Sequence, residues 1–121
     1  MKKIIYIDDD KINIDLFKMN FKNNYTVFTS LDPNEGFEII KNESIKVIIT
    51  DYKMPIMNGM ELINKVKQFQ EDSVCMILSG YLESEVVTDK TKIFKYIMKP
   101  YKRDEIIQHI DDAFRLLATA G

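Results

Sequence analysis

Apolar runs such as Val47-Ile48-Ile49 carry no polar alternation, and this constrains the fold more than any other feature of the chain. A strand with one wet face alternates; a strand buried on both faces does not, so helices must cover a parallel sheet above and below. Strands are predicted at about 3–8, 25–29, 46–50, 74–78 and 94–98. Segments with helical spacing separate them, and no Gly/Ser/Pro-rich linker or repeat interrupts the alternation. The expected architecture is α/β: one doubly wound, five-stranded parallel sheet in a flavodoxin-like three-layer sandwich, spanning residues 1–121 as a single domain.

Three of the runs stop on a charge. Asp8-Asp9 follows Ile4-Ile5-Tyr6-Ile7, Asp51 follows Val47-Ile48-Ile49-Thr50, and Lys99-Pro100 follows Phe94-Lys95-Tyr96-Ile97-Met98. The carboxyl ends of parallel strands share one edge, where such sheets bind ligands, and a strand order of 2-1-3-4-5 brings Asp8, Asp9 and Asp51 together. Three carboxylates beside one ammonium are costly to assemble unless a cation holds the acids. Mg²⁺ with a phosphoryl group accounts for both signs of charge.

The helical segments have recognisable faces. Ile12, Leu16 and Met19 fall at i, i+4, i+7, with Phe17 and Phe21 widening the stripe. Asp32-Pro33-Asn34-Glu35 reads as an N-cap, a proline at the first helical position and a Glu that reaches back. Leu62, Ile63, Val66 and Phe69 form a third face, and Ile106, Ile110, Ala113 and Leu117 a last one. Between Leu82 and Thr91 only Val86 and Val87 are apolar anchors, which predicts a short, loosely held fourth helix.

Composition narrows the function classes. A net charge of −2 with dispersed Lys and Arg disfavours nucleic-acid binding. The single cysteine, Cys75, lies in Val74-Cys75-Met76-Ile77-Leu78 and reads as a buried hydrophobe, and no intrachain disulfide can form. No run approaches the roughly 18 apolar residues of a membrane span, and Asp8 stops the first apolar run too early for a signal peptide, so a cytoplasmic location is expected.

With these motifs in order, the chain resembles the receiver domain of two-component response regulators. The matching residues are Asp8-Asp9, Asp51 within Asp51-Tyr52-Lys53-Met54-Pro55-Ile56-Met57-Asn58-Gly59, Ser79 in Ile77-Leu78-Ser79-Gly80, and Tyr96-Ile97-Met98-Lys99-Pro100. The resemblance implies a signalling phosphoacceptor domain rather than an enzyme acting on a separate substrate. Asp51 is the implied phosphoacceptor, fed by a sensor histidine kinase or a phosphotransfer protein. Mg²⁺ or Mn²⁺ is the implied cofactor, held by Asp9 and Asp51 directly, by Asp8 through a water and by the Lys53 backbone carbonyl. Lys99 and Ser79 are implied to contact phosphoryl oxygens. Movement of Ser79 is implied to let Tyr96 turn inward and reshape the face of helix 4, strand 5 and helix 5, and Lys99-Pro100 resembles the family's cis peptide. Tyr81 and Lys53 are expected to flank the path of a hydrolytic water, with Tyr81 lengthening the phosphoryl lifetime. Asp89-Lys90-Thr91-Lys92-Ile93-Phe94 departs from the common Gly-Ala pattern, and the partner face is the least transferable part.

Each residue also has a plainer reading. Asp8-Asp9-Asp10 alone fits a solvated loop, Asp10 fits a helix cap, Lys99 a surface lysine, Ser79-Gly80 a turn, Tyr96 plain core and His109 a surface residue. A rival from another class is a phosphatase resembling the haloacid dehalogenase group, with Asp8 as nucleophile, Asp10 as the second acid, and Ser79, Lys99 and Asp111-Asp112 in the remaining roles. That reading leaves Asp51 unexplained. A third is a receiver-like interaction module that is never phosphorylated. After Leu117 the sequence Ala118-Thr119-Ala120-Gly121 carries no DNA-binding or catalytic pattern, which fits either a stand-alone regulator or a receiver from a longer protein.

Overall fold

A computed structural model describes residues 1–120, with side chains through Thr119. Strands β1 (Lys3–Ile7), β2 (Thr26–Ser30), β3 (Val47–Thr50), β4 (Val74–Ser79) and β5 (Lys95–Met98) alternate with helices α1 (Lys11–Phe21), α2 (Pro33–Glu43), α3 (Gly59–Phe69), α4 (Glu83–Val86) and α5 (Arg103–Ala120). All strand pairs are parallel, in the order β2-β1-β3-β4-β5. Every residue of β3 and β4 is buried, because both faces of the sheet are covered. Ile4, Tyr6, Val47 and Ile49 face a core shared with α1 and α5, whereas Ile5, Ile7, Ile48 and Ile77 face one shared with α2 and α3. Cys75 lies in the second core, and burial pushes its thiol up to about 12.

Caps place the helices. Asp10 accepts the Ile12 N–H at 2.9 Å and opens α1, and Asp32 accepts the Asn34 N–H at 2.7 Å with Pro33 in the first turn of α2. Asn58 and Glu61 form a reciprocal capping box that starts α3, so Asn58-Gly59 leads into a helix and not a hairpin. Glu35 does not reach back as expected. The Asp32 N–H donates instead to the Ser30 hydroxyl, which itself contacts the Glu35 carboxylate.

Two helical faces differ from the sequence expectation. In α1 the buried residues are Ile14, Phe17 and Phe21, while Ile12, Leu16 and Met19 are 69%, 49% and 65% exposed. The helix is apolar on two sides, so its periodicity admits either stripe. The aromatic one turns inward because Phe17 stacks on Tyr6 at 4.3 Å and Phe21 leans on Phe17 at 4.6 Å, burying the larger surfaces. Phe69 ends α3 exposed, edge-on to Phe37. His109 is half-buried rather than a surface residue, its Nε2 3.6 Å from Glu105. As expected, α4 is a single turn, followed by a 3-10 turn at Lys90–Lys92.

Gly59 is pressed against the end of β3. A Cβ there would lie 2.5 Å from the Asp51 carbonyl oxygen and 3.1 Å from the Tyr52 Cα, and the Gly59 N–H donates to the Tyr52 carbonyl at 2.8 Å. The obstacle is backbone, which cannot swing aside. Gly59→Ala is therefore expected to destabilise the protein by about 1–3 kcal/mol in urea denaturation, with displaced amide resonances at Asp51 and Tyr52.

Candidate functional site

The backbone ladder brings the charged residues to one edge. The Asp8 N–H donates to the Ser30 carbonyl, the Asp51 N–H to Ile7 and the Lys99 N–H to Ser79, so each follows its strand by a single step. Carboxylate oxygens of Asp8, Asp9 and Asp51 lie within 4.8 Å of one another. Lys99 Nζ stands between two of them, 3.3 Å from Asp8 Oδ2 and 3.6 Å from Asp51 Oδ1. The Lys99-Pro100 peptide is cis.

The three acids occupy different environments. Asp8 is wholly buried and accepts from the Tyr6 hydroxyl at 2.6 Å, Asn13 Nδ2 at 3.1 Å, Lys99 and the Asp10 N–H at 3.0 Å. Burial raises its pKa, but the Tyr6, Asp10, Lys99 and Asn13 contacts outweigh that and hold it below the usual carboxylate range. Asp9 is exposed. Asp51 is half-buried, and burial drives it above the usual range; Lys99 and the Tyr52 N–H oppose this, while the Asp8 charge reinforces it. Asp51 Oδ1 accepts the Tyr52 N–H at 2.8 Å and faces Lys99, whereas Oδ2 has no hydrogen bond among the described residues.

The remaining expected residues line the same edge. Ser79 is buried, and its hydroxyl oxygen accepts the Tyr81 N–H at 3.0 Å. Tyr96 is half-buried, packs on the α2/α3 core and donates its hydroxyl to the Tyr81 carbonyl at 2.5 Å. Tyr81 is itself exposed and meets Tyr52 edge to face at 6.0 Å. Lys53 is exposed in the loop after Asp51. Asp10 caps α1. Asp111 and Asp112 are engaged along α5, with Tyr25, Gln108 and Arg115.

Sequence reasoning missed two members of the site, Tyr6 and Asn13. A signal existed for the first: Tyr6 is the one aromatic residue in an aliphatic strand, two positions before Asp8, and residues two apart on a strand share a face. Asn13 sits in the first turn of α1, where sequence gives its direction only once the helix phase is known.

The family model for the response regulator receiver domain matches residues 4–111. This chain belongs to that family. As a receiver it is 36% identical over 90 residues to a chemotaxis protein CheY homolog from Campylobacter jejuni, covering 68% of this chain and 69% of that protein. It is 25% identical over 116 residues to the hydrogenase transcriptional regulatory protein HoxA of Bradyrhizobium diazoefficiens, covering 93% of this chain and 24% of the relative. The receiver thus spans about a quarter of the length of the curated relatives it matches first. A solved receiver domain from Clostridium thermocellum superposes with a TM-score of 0.93 at 26% identity, over 100% of both chains.

The raised Asp51 has a stability consequence with a definite sign. An acid whose folded pKa exceeds its unfolded value costs stability once ionised; the cost is complete above the folded pKa and vanishes as pH falls below the unfolded value of about 3.9. Asp51→Asn is therefore expected to raise the Tm at pH 7 in metal-free buffer. The gain over wild type should shrink towards zero as melts are repeated down to about pH 3.5.

Proposed function

We propose that this receiver is a metal-dependent phosphoacceptor in which Asp51 accepts a phosphoryl group from the phosphohistidine of a sensor histidine kinase or a phosphotransfer protein. The free Oδ2 of Asp51 carries this reading: one carboxylate oxygen is pinned by Tyr52 N–H and Lys99 while the other has no partner among the described residues. Oδ2 attacks phosphorus as the P–N bond breaks, and the electron pair leaves with the donor's imidazole nitrogen. Lys99 is within reach of Asp51, and its ammonium offsets the charge of the arriving phosphoryl oxygens. The Ser79 O–H donates to another of those oxygens.

The donor set fits a hard divalent cation, because every candidate ligand is oxygen. Asp9 and Asp51 would hold Mg²⁺ or Mn²⁺ directly, Asp8 through a water, and the Lys53 carbonyl would complete the protein's share. Bound there, the ion supplies neutralisation of the phosphoryl charge.

Phosphorylation adds about 1.5 to 2 negative charges and three acceptor oxygens. When the Ser79 hydroxyl turns to them, its bond to the Tyr81 N–H is disturbed, and Tyr81 is the residue whose carbonyl holds Tyr96. That relay runs from the acidic edge to β5, so the face of α4, β5 and α5 responds to the state of Asp51. Tyr81, edge-on to Tyr52, shields the acyl phosphate from water.

A small phosphodonor such as acetyl phosphate with Mg²⁺ is expected to label the wild type and to leave Asp51→Asn unlabelled by intact-mass measurement. Labelling that persists in Asp51→Asn and fails in Asp8→Asn would instead favour the phosphatase nucleophile. In the labelled protein, Tyr81→Ala is expected to speed phosphoryl loss by about threefold or more, the scale of opening a shielded site to water; an unchanged decay rate rejects the shielding role.

A further inference from the structure

Asp8 is crowded with donors on one side. Its Oδ2 accepts from the Tyr6 hydroxyl at 2.6 Å, Asn13 Nδ2 at 3.1 Å and Lys99 Nζ at 3.3 Å, while Oδ1 accepts the Asp10 N–H at 3.0 Å. Three donors thus crowd Oδ2, which has two lone pairs, while Oδ1 keeps one acceptor position that a metal-bound water can use. The Tyr6 bond is the shortest of them, and its donor is the least able to move. Tyr6 is 1% exposed and its ring is stacked on Phe17, which packs in turn against Phe21 and Tyr101. Asp9, by contrast, is exposed and has no side-chain hydrogen bond among the described residues.

Resting on the reading of the acidic cluster as a divalent-cation site, we propose that Tyr6 is a positioning residue that selects the cation. By anchoring Asp8 Oδ2 to a ring locked in the core, the Tyr6 hydroxyl holds the carboxylate back, so that Asp8 meets the ion through a water and the ion is left with two direct carboxylates. Mg²⁺ dehydrates reluctantly, holds several waters and uses one or two carboxylates, which matches that arrangement. Ca²⁺ takes six to eight oxygens in flexible geometry and gains from each additional carboxylate that can close on it. A site in which the third acid is held back therefore favours Mg²⁺ over Ca²⁺. The residue acts through Asp8 and touches neither ion nor phosphoryl group.

Tyr6→Phe removes the hydroxyl and keeps the ring in its stack. Calorimetric titration of the full chain with Mg²⁺ alone and with Ca²⁺ alone is expected to show the Ca²⁺-to-Mg²⁺ affinity ratio rising by at least about fivefold over wild type, since Ca²⁺ is the ion that profits from a third carboxylate. An unchanged ratio, or one shifted towards Mg²⁺, overturns the proposal. Asn13→Ala, which also removes a donor from Oδ2 and disturbs no core packing, is expected to shift the ratio in the same direction by less, and serves if Tyr6→Phe does not fold; no shift there counts against the proposal. Phe17→Leu loosens the stack and leaves the hydroxyl in place, so a shift matching that of Tyr6→Phe would mark the effect as packing and overturn it. A wild type that binds Mg²⁺ with an unaltered ratio in Tyr6→Phe defeats this inference alone. A wild type that binds neither ion defeats the metal-site reading on which it rests.

Discussion

A carboxylate with no access to solvent sits at the end of the central strand pair, and the chemistry at this edge depends on how its charge is met. Asp8 is fully buried, and a buried anion is tolerable only when hydrogen bonds and an opposite charge surround it. Four donors do so here, one from its own strand, one from the backbone of the turn, one from α1 and one from the distant β5 edge. The last is Lys99, whose ammonium also reaches Asp51. One cation thus links two acids from neighbouring strands; the Tyr6 and Asp10 hydrogen bonds, with Lys99, hold Asp8 below the ordinary carboxylate range, while burial leaves Asp51 above it. The asymmetry separates a held anion from an acid with a free oxygen.

The sheet makes that arrangement possible without long-range guidance from any loop. Parallel register aligns Ile7 with Thr50 and Ser79 with Met98, so a charge placed one residue past each strand arrives at the same rim. Gly59 then lets α3 begin in contact with the Asp51 carbonyl, and Thr50 donates its hydroxyl to the same oxygen at 2.8 Å. The backbone beneath the Asp51 side chain is fixed from two sides. The aromatic stack from Tyr6 through Phe17 to Phe21 and Tyr101 does the same for Asp8, tying the site to α1 and to the segment that follows Lys99. Packing and electrostatics are therefore coupled at this rim, since the ring that fills the core also carries the hydroxyl that binds the acid.

Much of this was legible in the sequence because the signals were local. Unalternated strands announced a doubly covered parallel sheet, the Asp10 and Asp32 caps announced helix starts, and charges at strand ends announced the rim. Asp8, Asp9, Asp51 and Lys99 were identified from position alone and do come together. Periodicity was ambiguous in α1, where Ile12, Leu16 and Met19 match a helical stripe as well as Ile14, Phe17 and Phe21 do. Such a helix has no preferred rotation until a partner surface exists.

By itself the sequence determined which residues lie at strand ends, what charge they carry and which backbone atoms must be capped, all of which follow from neighbours within a few positions. Only the tertiary structure decided the phase of α1, the reach of Asn13 and Tyr6 to Asp8, the link from Ser79 through Tyr81 to Tyr96, and the place of Lys99 between two acids. The physical reason is that hydrogen bonds and ion pairs act over about 3–4 Å. Partners 91 residues apart, such as Asp8 and Lys99, meet at that range only after the sheet has set its register.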